Sequence, residues 1–137
     1  MIYNLDTNIV IEFLCSNKLV TRKILNAHDA GETLVICSVV YYEVMRGFDL
    51  NRVTRKQIKF NQLYSETEHF ILDDKAAVIA AEIYRYLSKR GQKIEDDDIF
   101  IAAITLANDA ILITDNVKHF ERVPNLKVVN WKDLGGS

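Results

Sequence analysis

Four short polar stretches carry most of the acid chemistry this chain could perform. Asp6-Thr7-Asn8 follows the apolar run Ile2–Leu5, and Glu43 follows Tyr41 and Tyr42. Glu95-Asp96-Asp97-Asp98 precedes a helical apolar stretch, and Thr114-Asp115-Asn116 follows Ala110–Ile113. Two carboxylates about 4 Å apart repel by roughly 4 kcal/mol at an effective dielectric of about 20. A gathered set must therefore raise its pKa values or take up a cation. All-oxygen donors suit Mg²⁺ or Mn²⁺, a hard cation that keeps waters and reaches substrate phosphate. Taken singly, each acid has an ordinary structural use. Asp6 can open a helix, Glu43 can lie on a solvated face, the 95–98 run can favour a helix dipole, and Asp115 can serve a turn. Their ordered placement at strand ends and helix starts points to a site.

The elements that must position these acids can be read from the pattern of apolar residues. Short β-favouring runs predict strands at Ile2–Leu5, Thr33–Cys37, about Phe70–Leu72, Ala110–Ile113 and about Lys127–Asn130. Helices are predicted from Ile9 to Leu14, from about Leu19 to Ala30, and from a Ser38 N-cap to Gly47. Further helices run from about Thr54 to Ser65, from Asp73 and Asp74 to Lys89 before Gly91, and from within 95–98 to about Asn108. Wholly apolar strands alternating with helices predict a three-layer α/β/α sandwich around a parallel sheet of about five strands. Ligands of such sheets bind at the carboxyl ends of the strands. Asp6 and Asp115 should both project from that edge, with Glu43 and Asp98 in the first turns of nearby helices.

With 137 residues, 49% of them apolar and 26% charged, the chain is expected to form one domain over 1–134 with a short tail at 135–137 that carries no functional signal. A net charge of −2 excludes a globally basic nucleic-acid binder but leaves room for a local basic face. Cys15 and Cys37 lack the paired spacing of a zinc site and read as small apolar residues in a reducing compartment. The absence of a signal-peptide pattern or a long apolar run leads to a cytoplasmic, non-membrane expectation.

At this point the chain resembles the PIN-domain family, and within it the VapC toxins of type II toxin–antitoxin pairs. Leu5-Asp6-Thr7-Asn8 resembles the opening motif and Glu43-Val44-Met45-Arg46-Gly47 the Glu-x-x-x-Gly element. Asp98 through Ala103 resembles Asp-x-x-Ile-Ala-Ala, Thr114-Asp115-Asn116 with Phe120 the next element, and Val128–Trp131 the closing strand. The resemblance implies a metal-dependent endoribonuclease with Asp6, Glu43 and Asp98 as its acidic core. Thr7 would support the site through its hydroxyl, Asn8 by fixing the turn, and Thr114 beside them. Asn116 stands where the family's fourth acid falls, so either Asp115 or Asn116 assists. Asp98 is in register with Ile101-Ala102-Ala103, and Asp97 is the second choice. By the same resemblance the products carry a 5′-phosphate and a 3′-hydroxyl, and the RNA is a tRNA. The toxin forms a homodimer, and a VapB-like antitoxin silences it by placing a basic side chain in the acidic site. DNA is met only through that antitoxin.

Substrate phosphates could be held by Arg46, Arg52, Arg55, Lys56 and Lys59, a run that also reads as a solvated helix face. Tyr41 and Tyr42 could stack on bases, or belong to the core or an interface. His28, His69 and His119 read as surface or capping residues, with His119 near enough to the last motif to merit an alanine test. A haloacid-dehalogenase-type phosphatase would need a second acid at position 8, where Asn8 stands. A receiver-like signalling domain would need paired acids at the first strand. A catalytically inert PIN fold used as an RNA-binding module is disfavoured by the intact acidic set.

Overall fold

The computed structural model describes residues 1–133; Leu134 and the expected tail at 135–137 lie outside the described residues. The chain runs β1 (Ile2–Leu5), α1 (Thr7–Leu14), α2 (Lys18–Asp29), β2 (Thr33–Val35), α3 (Ser38–Met45) and α4 (Arg55–Ser65). It continues as α5 (Asp74–Lys89), α6 (Asp96–Ala107), β3 (Ile111–Ile113), α7 (Val117–Phe120) and β4 (Val128–Val129). All strand pairs are parallel, in the order β2-β1-β3-β4, which puts β1 and β3 at the centre. This is the expected sandwich, and its central strands are the two that end at Asp6 and Thr114.

The sheet has four regular strands where the sequence pattern predicts about five. The segment expected at 70–72 runs beside β2 for one parallel repeat only, through the Val35–Glu68 bridge. Ser38 N–H still donates to Phe70 O at 2.8 Å, but Ile71 then turns out to solvent at 61% exposure, and Asp73 begins α5. An apolar triplet at the sheet edge thus lacks the second covered face that a full strand would need. Ser38 is the first residue of α3 rather than its cap, a position that Cys37 takes. Thr54 and Gln57 form a reciprocal capping box on α4, and the Asp73 carboxylate caps α5 through Ala76 N–H at 2.9 Å.

The helix that matters most for the site is α6. Ile99 and Ile101 through Thr105 are all buried, so this helix is covered on nearly every side, against α5, α3 and β3. Asn4, buried on β1, donates to Thr105 Oγ1 at 2.9 Å, and that hydroxyl donates on to Ile101 O at 2.7 Å. The pair fixes α6 against the strand that delivers Asp6. Among the described residues, no helix is long and apolar enough to cross a membrane.

Candidate active site

Asp6 lies one residue past β1, and its N–H donates to Ile113 O at 2.8 Å, extending the β1–β3 ladder by one step. Its backbone is extended, which makes it the N-cap of α1: Thr7 N–H donates to Oδ1 at 2.9 Å. Thr114 Oγ1 donates to Oδ2 at 2.7 Å, and Asn8 Nδ2 reaches the same oxygen at 3.3 Å. The carboxylate is only 4% exposed. Burial outweighs the donors, and with the negative charges of Asp98 and Asp115 nearby it raises the Asp6 pKa to about 6.

Glu43 comes from the last turns of α3. Thr7 Oγ1 donates to its Oε1 at 2.6 Å, so one residue links α1 to the second acid. Burial raises the Glu43 pKa, and Asp97 and Asp6 push it in the same direction. Asp98 sits in the first turn of α6 and is likewise raised, first by burial and then by the charges of Glu43 and Asp97, while His119 opposes them. His119 Nε2 lies 3.0 Å from Asp98 Oδ2, an ion pair when the imidazole is protonated. Glu43, Asp97, Asp98, Arg46 and His119 line a cleft of about 730 Å³ at the N-terminus of α6.

The fourth position resolves into two different roles. The Asp115 carboxylate accepts from Lys132 Nζ at 3.1 Å, and the same ammonium holds Glu12 of α1 at 3.1 Å. Asp115 contributes its N–H to Asn8 Oδ1 at 3.4 Å, while Asn116 N–H donates to Thr114 Oγ1 at 3.0 Å and Asn116 stands at the N-cap position of α7 without a side-chain capping bond. Thr7, Asn8 and Thr114 therefore form the hydrogen-bonded bed on which Asp6 rests.

The basic run divides. Arg46 lines the cleft, with Nη2 3.7 Å from Glu43 Oε2. Lys59 instead donates to Phe13 O at 2.7 Å, and Lys56 Nζ lies 3.5 Å from Cys15 Sγ, which ties both to the end of α1. Arg52 and Arg55 are exposed and do not line the cleft. Tyr41 is packed in an aromatic cluster with Phe60 and Tyr64, whereas Tyr42 is 57% exposed. His28 pairs with Glu66 at 2.9 Å and His69 stacks on Tyr64 at 3.7 Å, which leaves His119 as the histidine at the site.

Sequence reasoning missed the four-residue α7 that aims His119 at Asp98, and it missed Tyr84 and Lys93 on the cleft wall. Nothing local marks Tyr84 and Lys93. His119 itself is marked in the sequence by its proximity to the Thr114-Asp115-Asn116 motif.

Among the described residues, no group of three carboxylate, imidazole or thiol side chains forms a metal cage. The donor chemistry nonetheless fits a hard divalent cation. Three acids from β1's end, α3 and α6 sit within one another's fields, and all are held above their usual pKa by burial and mutual repulsion. A divalent cation would relieve that repulsion.

The PIN domain model matches residues 3–126, nearly the whole chain, and the protein belongs to the PIN-domain family. Within it the chain is similar to proteins called VapC. It is 30% identical to Ribonuclease VapC2 of Rickettsia felis over 132 residues, covering 96% of this chain and 98% of that protein. It is 25% identical to the tRNA(fMet)-specific endonuclease VapC of Shigella flexneri over 130 residues, covering 94% and 97%. The fold superposes on the crystal structure of VapBC2 from Rickettsia felis bound to a DNA fragment from their promoter, with a TM-score of 0.84 and 28% identity over 96% of this chain and 99% of that one.

Proposed function

We propose that this protein is the toxin of a toxin–antitoxin pair, a Mg²⁺- or Mn²⁺-dependent endoribonuclease that cuts tRNA and is neutralised by a VapB-like antitoxin. The observation that carries the reading is the gathering of Asp6, Glu43 and Asp98 within one another's fields, Glu43 and Asp98 lining the cleft and Asp6 buried beside them, each with a raised pKa. These three acids would hold the metal. When bound, the metal lowers the pKa of a coordinated water and polarises a phosphoryl oxygen.

The remaining roles fall to the chain's own groups. Thr114, Asn8 and Thr7 N–H fix the direction of both Asp6 oxygens, and the Thr7 hydroxyl fixes Glu43. His119, when protonated, offsets part of the negative charge at Asp98. Arg46 stands beside Glu43 with about half its side chain exposed, and there it would meet a phosphate flanking the scissile one. The excess of carboxylates in the cleft also suits an antitoxin's guanidinium, which would pair bidentately with an acid and take the cation's place. The proposed assembly is a toxin homodimer within a toxin–antitoxin complex. The similarity to a toxin–antitoxin complex on promoter DNA supports DNA contact through the antitoxin. The similarity to a tRNA(fMet)-specific endonuclease supports a tRNA substrate.

Mapping new RNA ends across total RNA after induced expression tests the reading. Cuts concentrated in tRNA are expected from the parent. Asp6→Ala and Asp98→Ala should each abolish them while the circular dichroism spectrum stays native. If both variants cut as the parent does, the site assignment is wrong.

A further inference from the structure

The acidic cleft creates a problem for a polyanionic substrate. Five carboxylates line it (Glu43, Glu95, Asp96, Asp97 and Asp98), and a cation held among them addresses only the phosphate at the centre. Flanking phosphates and bases need partners on the walls. Two aromatic–cation pairs offer them, on the two elements that flank α6: Tyr84, Lys93 and Arg46 line the cleft, and Tyr42 lies behind Arg46. On α3, the Arg46 guanidinium lies 5.1 Å from the centre of the Tyr42 ring. On α5 and the loop after it, Lys93 Nζ lies 5.9 Å from the centre of the Tyr84 ring. Tyr84 is 48% exposed, and both Tyr84 and Lys93 line the cleft. In a chain whose net charge is −2, this places two of its cations beside its densest group of acids.

We infer that Tyr84 and Lys93 form a binding subsite for single-stranded RNA next to the acidic cleft, Tyr84 stacking on an unpaired base and Lys93 meeting its phosphate, with Tyr42 and Arg46 as the matching pair on the other helix. An exposed ring beside an ammonium is the combination that single-stranded nucleic acid uses, because every base offers a π-face and every linkage a charge. A looped or splayed strand fits the subsite better than a duplex, whose bases are already stacked. The inference deepens the ribonuclease reading and rests on it.

The test is fluorescence anisotropy with a labelled single-stranded oligoadenylate of about 10 nucleotides, bound to the full-length protein in EDTA, followed by cleavage kinetics in Mg²⁺. Tyr84→Ala should weaken binding about fivefold or more, whereas Tyr84→Phe retains it, since the ring alone stacks. Lys93→Ala should lower the slope of log affinity against log salt by about 0.7, and Lys93→Arg should restore it. In cleavage, both alanine variants should raise KM with kcat unchanged. Melting temperatures should not move, because both side chains are exposed. Unchanged affinity in Tyr84→Ala and Lys93→Ala, or loss in Arg55→Ala and Lys56→Ala instead, would overturn the subsite while leaving the ribonuclease reading standing. A parent protein that neither binds nor cuts RNA would sink the ribonuclease reading itself, and the subsite with it.

Discussion

The two halves of the acidic site are held in different ways. At the strand ends, Asp6 is almost wholly buried and receives hydrogen bonds from Thr7, Asn8 and Thr114, each set by adjacent central strands or the first turn of α1. On the helices, Glu43 and Asp98 are 15% and 25% exposed and are held mainly by one hydroxyl and by charge, from Thr7, Arg46 and His119. The strand-end half is a fixed reference point. The helix-borne half can respond to what enters the cleft, because ion pairs at partly exposed positions have low individual strength. A cation that needs a firm first ligand and adjustable further ones meets both conditions here.

The largest effect should come from the fixed half. Asp6→Asn removes a carboxylate whose pKa is raised from 3.8 to about 6. For a raised acid the folded state binds its proton more tightly than the unfolded chain, so the stability contributed by this group is fully present below about pH 4 and is lost as pH rises through about 6. Above that the ionised group costs about 3 kcal/mol in the metal-free protein. Asp6→Asn should recover most of that at pH 7.5 and flatten the pH profile of thermal unfolding, while cleavage falls on the order of 10³-fold, a loss worth several kcal/mol. A variant that is less stable than the parent across this whole range would show that Asp6 is not a strained ionisable group.

Thr114→Val should have the next largest effect. It leaves a buried carboxylate oxygen short of its closest donor and should cost about 1–3 kcal/mol of stability. Thr114 opposes the rise in the Asp6 pKa. Its loss should therefore move the acidic limb of the pH–rate profile to higher pH. An unmoved limb would mean that the strand-end bed does not tune Asp6.

The smallest effect should come from Lys132→Ala. This change cuts the links to Glu12 and Asp115, both on partly exposed carboxylates, and should cost no more than about 1 kcal/mol. Cleavage should stay within a few-fold of the parent, because Asp115 faces Lys132. A large activity loss would return Asp115 to the acidic core.

The strand-end half was the more legible in the sequence. Asp6 follows an apolar run directly, and Thr114 ends another, so two local patterns placed both residues at one sheet edge. Asp98 was legible because the burial of α6 shows in its residue types, at Ile99 and from Ile101 to Thr105. What could not be read depends on contacts between residues far apart in the chain. Asp115 turns toward Lys132, seventeen residues on, and His119 reaches Asp98 across the cleft. Lys56 and Lys59 look like substrate cations in sequence, yet they lie against the end of α1, more than forty residues earlier. The edge segment expected at about Phe70–Leu72 is not a full strand for a similar reason, since only tertiary cover decides whether an apolar triplet stays paired.

Calorimetric titration of Mg²⁺ or Mn²⁺ into the metal-free protein at pH 7.5 tests the central claim most directly. The parent should bind, Asp6→Asn and Asp98→Asn should lose most of that affinity, and Lys132→Ala should keep it. Equal binding by the parent and both carboxylate variants, or cleavage that persists undiminished in EDTA, would contradict the assignment of these acids as the cation site.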